Sequence, residues 1–195
     1  MEQKINWEEN LRGAFRYVNR FMVFMWRLGL ARWVNIWPER IGRIMVLSHH
    51  GRRTGQVRKT PVNYAIVEGE VYCMAGFGSK SDWFRNIKTD PKVEIWLPEG
   101  WWAGVAEDVS KAPDRLAIIR HVAIASGFAG RAAGIDPYQM SDEELDKLTA
   151  TYQVIHIRRT AARTGPEGPG DLAWIWPVVT FILTFLLILK PRRRR

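Results

Sequence analysis

The residues best suited to chemistry lie between His50 and Pro61, in HGRRTGQVRKTP. Arg52, Arg53, Arg58 and Lys59 place four cations in eight residues, with Gly51 and Gly55 bracketing the first pair. Glycine lets backbone N–H groups turn toward an anion, and the arginine fork matches the oxygens of phosphate and carboxylate. The chemistry on offer is anion binding. The G-x-x-x-x-G-K-[ST] spacing of a nucleotide phosphate loop is absent. On residue types alone a solvated hairpin loop reads the same way. Acid–base chemistry is less legible. Tyr138, Tyr152, His121 and His156 can donate protons, but each also suits a structural role. His49 and His50 read as strand and loop filler, and neighbours on a strand face opposite ways. The single cysteine, Cys73, excludes an intrachain disulfide and a cysteine zinc cluster, and it reads as a buried hydrophobe.

These residues need elements to hold them. Arg43–His49 is β-prone, and so is Val57–Val67, with a turn at Glu68-Gly69-Glu70 and a partner strand at Val71–Ala75. Ser81–Asp90 opens on a cap residue and stops before Pro91, which predicts a short helix. Lys92–Leu97 and Trp102–Val109 flank a Pro-Glu-Gly turn. Ala112–Ala125 reads as helical, Ser141–Thr151 opens with a capping box, and Val154–Arg158 is a closing strand. Short antiparallel strands interleaved with helices predict class α+β, a partly open barrel of about six strands with flanking helices.

The stretch GRRTGQVRKTPV, a hairpin, and then MAGFGSKSDWFRNIKTDPKVEIWL resembles the deazaflavin-dependent nitroreductase and quinone-reductase family. That family carries a G-R-[RK]-[ST]-G-x-x-R-x-x-P loop and a W-[YF]-x-N-[LI]-x-x-[ND]-P helix. The resemblance covers Ile44–Leu97 in detail and Trp102–Thr160 in layout. It implies a split β-barrel of the FMN-binding type that takes reduced 8-hydroxy-5-deazaflavin, coenzyme F-420. It implies that Arg52, Arg53, Thr54, Arg58, Lys59, Thr60 and Pro61 receive the phosphate and oligoglutamate tail. Met74, Ala75, Gly76 and Phe77 would border the coenzyme at the hairpin end. Asp82, Trp83, Phe84, Arg85 and Asn86 would flank it from the helix. The Ser-Lys-Gly-Gly pattern common in the family at the hairpin end is here Gly76-Phe77-Gly78, with Lys80 displaced.

The termini lie outside that resemblance. The 195 residues carry 29 Lys+Arg against 20 Asp+Glu, net +9. Residues 1–60 hold 12 of these cations and 4 of the anions, 61–157 hold 9 and 14, and 158–195 hold 8 and 2. Two basic ends around an acidic middle argue against a nucleic-acid binder. Residues 1–40 read as a basic amphipathic segment: Leu11, Phe15, Val18, Met22, Met25 and Trp26 recur at helical spacing, with Arg12, Arg16, Arg20 and Arg27 beside them. Such a helix suits a membrane surface or the flank of a domain. The domain is expected over 41–158 and a Gly/Pro-rich linker over 159–170. Residues 171–195 are expected to be an anchor, because Leu172–Leu189 holds 18 residues without charge. As one helix it would measure about 27 Å, near the thickness of a bilayer core. Asp171 would cap it, and the closing arginines would mark the far interface. The opening nonapeptide is polar, with no export-type apolar run, so a cytoplasmic catalytic domain is expected although the flanking cations favour the reverse orientation.

The expected function is therefore a membrane-anchored reductase moving a hydride from deazaflavin to a lipophilic acceptor such as a quinone or nitro compound. FMN on the same barrel is one alternative. A non-catalytic tethered module that holds an anionic cofactor or lipid headgroup is another. No metal is expected.

Overall fold

The computed structural model describes residues 17–35, 40 and 42–189. Six antiparallel strands close a barrel in the order β1-β2-β3-β6-β5-β4. They are β1 Ile44–His50, β2 Val57–Val67, β3 Glu70–Ala75, β4 Lys92–Leu97, β5 Gly100–Asp108 and β6 Gln153–Arg163. All six stand where the β-prone runs predicted them. β6 continues to Arg163, into the segment read as linker. The helices are α1 (17–27), α2 Ala31–Val34, α3 Asp82–Thr89, α4 Arg115–Ala125, α5 Phe128–Ala132, α6 Asp142–Leu148 and α7 Ile175–Leu189. The capping box of α6 forms: Ser141 accepts from the Glu144 backbone N–H, and Glu144 reaches back to the Ser141 N–H. Ser81, by contrast, makes no side-chain cap on α3.

The alternation of the strands sorts the core into three layers. Met45, Leu47, Tyr64, Val71, Cys73, Ile95 and Ile155 fill the barrel, and Phe84 and Ile87 of α3 plug one end of it. Residues on the opposite strand faces, Ala65 and Val154, pack under Ile118, Ile119 and Val122 of α4 and Leu145 of α6. A third cluster sits on the outer face of β1 and β4, where Trp26 and Ala31 cover Val46 and Trp96.

That third cluster decides the fate of both termini. The part of the N-terminal segment within the described residues is helical and packs on the barrel through Trp26, which is fully buried. Leu11, Phe15, Arg12 and Arg16 lie outside the described residues. The chain after β6 returns to α1. Gly170 N donates to Trp26 O at 2.9 Å, and Leu172 N donates to Arg27 O at 2.9 Å. Arg27 grips Asp171 with three contacts of 2.6–3.1 Å.

This docking corrects the expected anchor. Asp171 is taken by Arg27, and residues 170–174 are held in turns rather than in the first turns of a helix. α7 therefore starts at Ile175 and has 15 residues, or about 22 Å. Among the described residues no helix is long and apolar enough to cross a membrane. The membrane-anchored localisation expected from Leu172–Leu189 falls with it.

Candidate functional site

The pairing of β2 is uneven. Its whole first half pairs with β1, from Val57↔His50 to Asn63↔Ile44. On its other side the ladder with β3 begins only at Tyr64↔Cys73. Residues 57–63 therefore have a strand on one side and, among the described residues, none on the other. A backbone edge without a strand partner offers its N–H and C=O groups to something else. The β1–β2 loop, with its basic residues, stands at this end of the barrel. So do the residues leaving β3, because they lead into α3, and α3 touches the loop.

The loop is built by its glycines. Gly51 O accepts from Thr54 N at 3.1 Å and from Gly55 N at 2.7 Å, and Gly51 N donates to Gln56 O at 2.9 Å. Gly55 sits at φ +65°, a conformation other residues rarely adopt. A side chain on Gly51 would press on Arg58 Nε, 2.8 Å from the Cβ position, so glycine here lets Arg58 fold over the loop.

The basic residues do different jobs. Arg52 is tied down: its backbone N and Nη1 donate to Asn86 Oδ1 at 3.1 and 3.0 Å, and Nη2 donates to Asp82 Oδ1 at 3.0 Å. Arg53 and Arg58 are exposed, and no ion pair among the described residues involves them. Thr54 is exposed beside them, and Thr60 is half-buried with its hydroxyl 3.1 Å from His49 Nε2. Lys59 points to the other face of β2. Its Nζ lies 4.8 Å from the Trp96 ring centroid and donates to Glu167 O at 3.0 Å. Pro61, two residues on, shares that face and pairs with Val46.

The structure also divides the other expected residues. Ala75 is buried in the barrel core, and Met74 packs on the α4 layer behind it. Gly76 lies under the Tyr152 ring, 3.7 Å from its Cβ position. Phe77 is 76% exposed. On α3, Phe84 is core, Trp83 is half-buried and edge-on to Phe84, and Arg85 donates to Ser79 O at 2.8 Å. Asn86 is buried and acts through Arg52.

His49 belongs to this site although its sequence context gave it no role. It is buried, and burial pushes its pKa down to about 4, with the charges of Arg58 and His50 acting in the same direction. Its signal was present in the sequence as alternation. Met45 and Leu47 face the core, so the next odd-numbered residue faces inward too, while His50 turns outward to Asp90 at 3.0 Å. Cys73 is buried with its thiol pushed up to about 12 by desolvation, which keeps it a protonated core residue. Among the described residues no group of His, Cys, Asp and Glu is placed to hold a metal.

The residues present fit a ligand that is acidic at one end. Among the described residues, two guanidinium groups without carboxylate partners stand beside a strand edge without a strand partner, and the exposed Phe77 follows the neighbouring strand.

Comparison with known proteins agrees with that chemistry. A family model described as F420H(2)-dependent quinone reductase matches residues 21–140, more than half the chain. No curated protein matches. Among solved structures, the conserved hypothetical protein Rv2991 from Mycobacterium tuberculosis is 24% identical with a TM-score of 0.44, over 62% of this chain and 73% of that one. Atu2129 from Agrobacterium tumefaciens, of unknown function, is 19% identical with a TM-score of 0.45, over 72% and 60%. An F420-H2 dependent reductase, FDR-A, is 17% identical with a TM-score of 0.41, over 59% and 93%. At such low identities and TM-scores the assignment rests on the family model. That model spans the glycine-arginine loop, the free edge of β2 and α3 together, and the chain belongs to the F420H(2)-dependent quinone reductase family, oxidoreductases that use coenzyme F-420.

Proposed function

We propose that this chain reduces a lipophilic acceptor, a quinone or a nitro compound, with reduced coenzyme F-420. The observation that carries the reading is the pair of guanidinium groups, Arg53 and Arg58, that have no ion pair among the described residues and stand on a glycine-built loop beside the free edge of β2. When bound, the coenzyme supplies a hydride, two electrons at once.

Everything else is the work of the chain. Arg53 and Arg58 hold the acidic phosphate and oligoglutamate tail through charge-assisted hydrogen bonds, with Thr54 as a neutral donor. Arg52 is spent on Asn86 and Asp82, so it shapes the loop rather than meeting the tail. Phe77 offers a flat apolar surface to the acceptor, which is the observation favouring a lipophilic one. A quinone that receives a hydride needs one more proton to become a quinol. The solvent is a source, while buried, neutral His49 is not.

Titration of the protein with coenzyme F-420 and with FMN tests the cofactor. Tight, salt-sensitive binding of the deazaflavin alone is expected, and binding of FMN alone would overturn it. Turnover with a short-chain quinone and with a nitroaromatic compound tests the acceptor. Reduction of neither, in a protein that binds the coenzyme, would overturn the acceptor class.

A further inference from the structure

Thr60, His49, Asn86 and Arg52 form a continuous chain of hydrogen bonds. His49 and Asn86 are each only 3% exposed. Asn86 Oδ1 receives two N–H groups of Arg52. An amide has one accepting oxygen, so its NH2 group must face the other way, toward His49 Nδ1 at 3.3 Å. His49 Nδ1 must then be the lone-pair nitrogen, and Nε2–H donates to Thr60 Oγ1 at 3.1 Å. The loop geometry thus depends on one tautomer of one neutral imidazole. Were Nδ1 to carry a proton, it would meet the Asn86 NH2 group. The amide would turn, and its NH2 would then face the donors of Arg52. The charged and titratable groups acting on His49 are Arg58 of the loop and His50 of β1, while Arg52, paired with Asp82 of α3, reaches it through Asn86.

We propose that His49 is a positioning residue for the anion loop: by accepting from Asn86 it aims the amide oxygen at Arg52, and so fixes the loop that presents Arg53 and Arg58. This rests on the reading of that loop as the seat of the coenzyme's acidic tail. His49 touches neither tail nor acceptor in this scheme and acts only through Asn86.

Three variants separate its two nitrogens. The short amide of His49→Asn can place an oxygen near the Nδ1 position, which keeps the acceptor for Asn86. The longer amide of His49→Gln reaches toward Thr60 instead, and His49→Ala does neither. The binding of coenzyme F-420 is compared with that of its nucleoside fragment, an 8-hydroxy-5-deazaflavin without phosphate or glutamates. His49→Ala and His49→Gln are expected to bind the whole coenzyme about tenfold more weakly, the upper end for the loss of one neutral hydrogen bond. His49→Asn is expected within about threefold of wild type, and all four proteins should bind the fragment alike. Equal loss for both ligands, or no loss in His49→Ala, would overturn the proposal.

Nitrogen NMR of the free protein judges the chain of bonds without coenzyme. The Nε2–H tautomer is expected at pH 7, with the Arg52 amide exchanging about tenfold faster in His49→Ala than in wild type or His49→Asn. An Nδ1–H tautomer, or unchanged exchange, would overturn the positioning role. A wild-type protein that shows the expected tautomer yet binds no coenzyme would overturn the proposed cofactor and leave the loop-ordering role of His49 standing.

Discussion

Two faces of β2 use the same residue types in opposite ways. On the side of the free strand edge, Arg53 and Arg58 carry charge without a carboxylate partner among the described residues. On the outer face, every cation of the terminal clasp is satisfied. Arg27 holds Asp171 in a two-pronged pair, and Lys59 lies over Trp96 and donates to Glu167 O. Arg58 and Lys59 are adjacent in sequence, yet the pleat sends one to each face. A cation that serves the fold brings its own acceptor. On the proposed reading, a cation that serves a ligand is left bare, since its partner arrives from solution.

The largest test of that contrast is Arg53→Ala with Arg58→Ala. Losing two charge-assisted contacts should weaken coenzyme binding by about 3 kcal/mol, roughly a hundredfold, and flatten its salt dependence. The melting temperature should stay unchanged, because neither side chain holds the fold. Calorimetric titration at two salt concentrations checks this, and unchanged affinity would erase the distinction between the two faces.

A second effect comes from the buried side of the loop. His49 has its pKa lowered from 6.5 to about 4, so between those values the unfolded chain binds a proton that the folded chain refuses. Stability therefore rises with pH through that window, by at most about 3 kcal/mol, and is flat with respect to His49 above it. Urea unfolding from pH 4 to pH 7 should show this slope in wild type and lose it in His49→Asn.

The clasp gives the smallest effects. Asp171 has its carboxyl held below the usual range by the Arg27 hydrogen bonds, so the pair contributes above the ordinary carboxylate pKa and is lost as pH falls through the lowered one. Its two members are partly exposed, so Asp171→Ala should cost about 1 kcal/mol or less in thermal unfolding. Coenzyme affinity should not change in that variant. In Lys59→Met it should stay within about twofold of wild type if Lys59 belongs to the clasp. A loss as large as that of the arginine pair would return Lys59 to the ligand side.

Much of this molecule was legible in the residues. Local signals sufficed for the six strands, the capping box at Ser141 and the short helix before Pro91, because period, cap and turn chemistry act over a few residues. The loop was legible as a glycine-built cluster of cations for the same reason. What lay beyond reach was the partner of each cation. Nothing near Arg27 names Asp171, which is 144 residues away, and nothing near Lys59 names Glu167. Leu172–Leu189 read as one long helix because its composition is apolar throughout, and composition carries no record of the backbone bonds that hold its first residues against α1.

Hydrophobic alternation along each strand, the glycines of the loop and the supply of positive charge are properties of the chain itself, and they determined the barrel and the cationic loop at its end. Only the tertiary structure decided which arginines remain free, that His49 holds Asn86, and where α7 begins. Each of those depends on a contact between residues far apart in sequence, and such a contact exists only once the barrel has closed and brought its two ends of chain together.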